Sequence, residues 1–136
     1  MIPGGAAPTA SRVRAGFDLA RAGNLPSVAS NVLAALVLSA AGGSAWPAPG
    51  LLGLAVLAGC LLYAGGATLN DVADAAFDAR HRPERVIPRQ VVSRPAAAWI
   101  GGAEMAAGLA LLVGAGASAV LAGALVGTIL VYDWIH

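Results

Sequence analysis

Asn70, Asp71, Asp74 and Asp78 fall at i, i+1, i+4 and i+8 in an otherwise apolar chain. On a helix turning about 100° per residue, the four side chains share one arc of roughly 100°. Three carboxylates held side by side repel one another, and a bound divalent cation would neutralise them. Mg²⁺ suits that position, because it takes hard oxygen ligands and retains waters and substrate phosphates. Four arginines follow closely, Arg80, Arg82, Arg85 and Arg89. A guanidinium is a planar fork of donors that matches phosphate oxygens. The stretch from Asn70 to Arg89 therefore reads as a Mg²⁺–diphosphate site. The plainer alternative, a solvated charged helix end, leaves the shared face, the leading asparagine and the trailing arginines unexplained.

Such a site needs elements to hold it, and the composition says what kind. Of 136 residues, 58% are hydrophobic and 11% charged, against a usual charged share of about 25%. Four apolar segments run roughly over Leu25–Ala41, Gly50–Leu69, Ala96–Val113 and Ala119–Trp134. Each approaches the roughly 20 residues that cross a bilayer. None shows the polar face expected of a helix in a soluble bundle. The expected fold is an all-α, polytopic transmembrane bundle of about four spans, with the third and fourth joined by a tight hairpin. Glycines and alanines within the spans would let helices approach closely in lipid. Residues 1–18 are expected to be a flexible, solvent-exposed N-terminus, and 19–136 the membrane domain. No signal peptide is expected, because the first twenty residues lack a short apolar stretch with a cleavage site. The single cysteine, Cys60, excludes an internal disulfide and reads as a small packing residue.

All eight basic residues are arginine: three precede the first span, and five lie between the second and third. The two other connecting segments carry no charge. The positive-inside rule then sets the N-terminus and the Asp/Arg motif in the cytoplasm, for a protein of a bacterial-type inner membrane. Polar side chains within or at the mouth of the spans stand out, since burying one without a partner costs free energy. Asn24, Ser27 and Asn31 share one face of the first span. Tyr63 shares the aspartate face of the second, and Tyr132 and Asp133 end the fourth. Glu104, midway along the third span, reads as an interhelical hydrogen-bonding residue. Arg21 and Asn24, at the cytoplasmic mouth, read as substrate contacts, and His81 as a loop residue.

The pattern N70-D71-x-x-D74-x-x-x-D78, with Arg82-Pro83-x-Arg85-x-x-Pro88 after it, resembles the first aspartate-rich motif of the UbiA family of intramembrane prenyltransferases. Ala20-Arg21-Ala-Gly-Asn24 is similar to that family's first-helix signature, in which Arg-Pro-x-Asn is common. The flavour is that of the bacterial UbiA-like branch. The resemblance implies transfer of a prenyl group from a prenyl diphosphate to an aromatic or other lipophilic acceptor, with Mg²⁺ as cofactor. It implies that Asp71, Asp74 and Asp78 are catalytic, and that Asn70 with them organises the metal, Asn70 and Asp74 foremost as direct contacts. Arg82 and Arg85 would bind diphosphate, and Arg21, Asn24 and Tyr132 would line the substrate pocket. Family members have about nine spans and a second acidic motif, so this chain is expected to be the N-terminal half of that fold, completed by a remaining half or a partner chain. Its other partners are membrane lipids, and no nucleic acid is expected. A non-catalytic membrane protein that binds a prenyl lipid, or acts as a partner subunit, is the competing reading. The longer pattern of CDP-alcohol phosphotransferases is absent, and soluble prenyl-diphosphate synthases have no lipid-facing spans.

Overall fold

A computed structural model of the protein describes residues 9–135; residues 1–8 of the expected N-terminal segment, and His136, lie outside the described residues. The described chain is helical, in the order α1 (Thr9–Leu19), a 3₁₀ turn (Ala22–Asn24), α2 (Leu25–Ala41), α3 (Pro49–Ala73), α4 (Ala75–His81), α5 (Arg94–Gly114) and α6 (Ala119–Ile135), with no strand among the described residues. This is the all-α bundle the apolar segments called for. Three helices, Ala22–Ala41, Pro49–Ala73 and Arg94–Gly114, are long and apolar enough to cross a membrane. The fourth expected span, α6, is apolar but has 17 residues, about 25 Å of helix against a hydrocarbon core of about 30 Å.

Local chemistry explains where the helices begin. Pro26 and Pro49 stand in the first turns of α2 and α3, where a missing N–H costs nothing. At α5, Ser93 caps the helix by accepting from the amide of Ala96 at 3.3 Å, with Pro95 in the first turn. Arg94 Nε donates to the carbonyl of Val72 at 3.0 Å, satisfying an end carbonyl of α3 and bringing a cation to that helix's negative pole. One interaction thus sets the register between α5 and the end of α3 that carries the motif.

The α3–α5 interface is built on small residues. A Cβ placed on Gly65 would lie 2.9 Å from the carbonyl oxygen of Gly101 and 2.9 Å from the amide nitrogen of Met105. One on Gly101 would lie 2.9 Å from Leu69 Cγ and 3.1 Å from the carbonyl oxygen of Gly65. The two backbones touch there, and in lipid such contact is a main source of helix association. By contrast, α2 buries none of its residues against the rest of the chain.

At the motif end, Leu19, Val72, Ile87 and Ala97 form a buried apolar cluster. It joins α1, α3, the 82–93 segment and α5. Residues 9–18, within the segment expected to be flexible and exposed, form most of α1, where Val13, Arg14, Phe17 and Asp18 are exposed and Ala15 is buried. The physical reason is the i, i+4 pair Ala15 and Leu19, both buried, which lends α1 an apolar edge despite its charges.

Candidate functional site

The aspartates lie where the long α3 passes into the short α4. Asp74 is the joint, with φ −75° and ψ −3°, and the hydrogen-bond ladder crosses it through Asp74 N–H to Asn70 O and Asp78 N–H to Asp74 O. The helical twist is nearly kept, so the four side chains share a broad face, but the arc divides. By helical arithmetic the order around the arc is Asn70, Asp74, Asp78, Asp71, in steps of about 40°, 40° and 20°, and it is their partners that divide it into two edges.

The two edges have different surroundings. Asn70 Nδ2 donates to Asp74 Oδ2 at 2.9 Å, and both residues are partly exposed. Asn70 lines a cavity of about 200 Å³ with Arg21, Leu62, Tyr63, Gly66, Ala67, Ile129, Tyr132 and Asp133. Residues from the α1–α2 turn, α3 and the end of α6 meet there. Asn24 joins them at one remove, its Nδ2 donating to the Tyr63 hydroxyl at 2.7 Å. Arg21, Asn24, Asn70 and Tyr132, singled out from sequence, are thus brought together.

At the other edge Asp71 and Asp78 are buried and surrounded by arginines. Arg85 Nη1 donates to Asp71 Oδ1 at 2.7 Å and lies 3.5 Å from Asp78 Oδ2. Arg21 Nη2 donates to the same Asp71 oxygen at 3.1 Å, and Arg82 Nη1 lies 3.6 Å from Asp78 Oδ1. The repulsion that the sequence reading assigned to a metal is therefore relieved for two of the three carboxylates by arginines. Arg82 and Arg85, expected on diphosphate, face the motif's own aspartates, and Arg82 also lies over the Phe77 ring.

Arg21 reaches Asp71 from an unusual backbone, left-handed at φ 45° and ψ 49°. A residue with a side chain adopts that conformation at a cost, and it persists where its surroundings fix it. Here the buried Leu19 on one side and the start of α2 on the other fix it.

Other polar residues resolve simply. Thr68 Oγ1 donates to Glu104 Oε2 at 3.4 Å, the interhelical bond expected of Glu104. His81, expected in a loop, instead ends the helix α4, its Nδ1 3.0 Å from the carbonyl oxygen of Phe77 and its ring stacked on the Phe77 ring.

Among the described residues, no three His, Cys, Asp or Glu side chains converge to hold a metal ion. The donors still fit Mg²⁺, which typically takes one or two protein carboxylates and fills its shell with water and substrate phosphate. Asn70 offers a hard oxygen at the cavity edge, and Asp74, bonded to it through its side chain, offers others just behind. Sequence reasoning singled out these arginines but missed their pairing with Asp71 and Asp78, for which Arg82 at i+4 from Asp78 was the one local signal.

The UbiA prenyltransferase family matches residues 28–136. The digeranylgeranylglyceryl phosphate synthase of Thermococcus kodakarensis is 46% identical over 61 residues, a stretch covering 45% of this chain and 21% of that protein. The chain thus matches about a fifth of that curated relative's length. No solved structure matches the chain significantly.

Proposed function

The chain belongs to the UbiA prenyltransferase family, and we propose that it works in Mg²⁺-dependent transfer of a prenyl group, within the membrane, from a prenyl diphosphate to a lipophilic acceptor. The observation that carries the proposal is the cavity between α3 and α6, where Arg21, Tyr63, Asn70, Tyr132 and Asp133 meet beside the Asn70–Asp74 pair. Asn70 and Asp74 would hold the metal. When bound, the ion supplies positive charge to the diphosphate as the allylic C–O bond breaks. The diphosphate lies at the polar end of the cavity, where Arg21 presents donors beyond the one used on Asp71. The prenyl tail runs down the apolar wall of Leu62, Gly66 and Ile129 towards the bilayer. Asn24, by fixing the Tyr63 hydroxyl, orients the aromatic ring that borders the first isoprene unit.

The relative's named product is itself an isoprenoid lipid phosphate, which supports a lipophilic acceptor. The arginine distribution supports an inner-membrane protein with its N-terminus and motif in the cytoplasm.

Membranes containing the protein, supplied with labelled prenyl diphosphate and Mg²⁺, test the proposal. Label should enter the lipid extract in the wild type, and Asp74→Ala should reduce transfer by at least about a hundredfold. Equal transfer by wild type and variant would overturn it.

A further inference from the structure

The two edges of the motif have different partners, and the difference assigns different work. Asp78 is about 1% exposed. The cations within ion-pair range of it are Arg82 Nη1 at 3.6 Å and Arg85 Nη1 at 3.5 Å. Asp71 gives one oxygen to two guanidinium groups at 2.7 and 3.1 Å. Both carboxylates are thus already charge-compensated by guanidinium groups, so a metal at either would compete with Arg85 for the same negative charge. Asn70 and Asp74 carry no such competitor, and Asn70 borders the cavity.

The placement of Arg85 along the chain adds a second point. Asp71 belongs to α3 and Asp78 to α4, so one guanidinium bridges the two helices across the joint at Asp74. The bridge holds the rotation of the joint residue itself.

We propose that Arg85 is a positioning residue, the internal counter-cation of Asp71 and Asp78, and that this clamp fixes the α3–α4 joint so that Asp74 stays paired with Asn70 at the cavity edge. Asp71 and Asp78 then support the metal pair and are not metal ligands. The inference rests on the reading of Asn70 and Asp74 as the Mg²⁺ site. Partners that orient a metal's ligands from behind typically contribute 10–100-fold to metal affinity.

The test titrates Mn²⁺, in place of Mg²⁺, into the purified full chain in lipid nanodiscs and reads the bound ion by electron paramagnetic resonance. Asp74→Ala should lose the bound signal. Arg85→Gln should keep one ion per chain with affinity lowered about 10–100-fold, and Arg85→Lys should recover part of the loss. Asp78→Asn should act as Arg85→Gln does, and the two together should cost little more than either. If Arg85→Gln does not fold, Asp78→Asn carries the comparison, because Arg85 keeps Asp71. Loss of all Mn²⁺ binding in Asp71→Asn or Asp78→Asn would make those residues ligands and overturn the clamp. Wild-type affinity in folded Arg85→Gln would overturn it too. Should the wild type bind no Mn²⁺, the metal reading itself falls. Melting of the metal-free Arg85 and Asp78 single and double variants then decides the clamp, with coupling expected and additivity overturning it.

Discussion

At the scale of residues, the site is a set of polar groups whose partners lie far apart in sequence. Asn24 and Tyr63 are 39 positions apart and share a 2.7 Å hydrogen bond. The bond is exposed, so removing either partner forfeits only its net contribution, about 0.5–1.5 kcal/mol. Asn24→Ala and Tyr63→Phe should each lower the melting temperature of the solubilised protein, and the double variant should lose less than the sum; strict additivity would separate the two residues energetically. The sequence made these residues conspicuous, because a polar group on an apolar span stands out against its neighbours. Thr68 as the partner of Glu104 was not legible, since threonine is common on membrane helices and pairing depends on how α3 and α5 dock. The division of the aspartates was half legible. Helical arithmetic orders the four side chains around the arc, but only the path of the 82–93 segment decides that Arg85 returns to Asp71 and Asp78 and so divides them.

At the scale of elements, the α3–α5 pair organises the rest, and its glycines differ in what they do. Gly65 faces the carbonyl of Gly101 and the amide of Met105, backbone atoms that cannot move aside, whereas a Cβ on Gly102 would meet nothing within 4 Å. Gly65→Ala should therefore force the helices apart and cost about 1–3 kcal/mol. Gly102→Ala should be neutral, or more stable by up to about 1 kcal/mol through helix propensity. Thermal unfolding of the two variants in one detergent separates the cases; equal stability would mean the close approach contributes nothing. The spans were legible because a run of apolar residues is a strong local signal: α2 occupies Leu25–Ala41, as the sequence suggests, and α3 runs a few residues beyond its expected ends. The helix α1 was not legible. Its apolar edge rests on small and single residues, Ala15 and Leu19, and shows only once Val72, Ile87 and Ala97 supply the surface they pack on.

At the scale of the whole molecule, the charged end and the apolar body define a direction through the bilayer. Arginines lie in α1 and the turn after it and between Arg80 and Arg94, whereas the α2–α3 connection carries no charge. Trp99 and Trp134 are exposed near the motif end and Trp46 near the other, as expected of side chains that settle at both membrane surfaces. A cysteine introduced at Ala48, in a variant without Cys60, should react with an impermeant thiol reagent added outside intact cells; labelling only after the cytoplasmic face is opened would invert the topology. Membership of the UbiA prenyltransferase family and the cavity at the Asn70–Asp74 edge then converge on one central claim, that this edge binds a metal–diphosphate. Equilibrium binding of a radiolabelled prenyl diphosphate to the purified chain in nanodiscs, with Mg²⁺ or with EDTA, tests that claim most directly. The account predicts saturable binding that needs Mg²⁺ and is lost in Asn70→Ala and Asp74→Ala; binding indifferent to Mg²⁺, or unchanged in both variants, would contradict it.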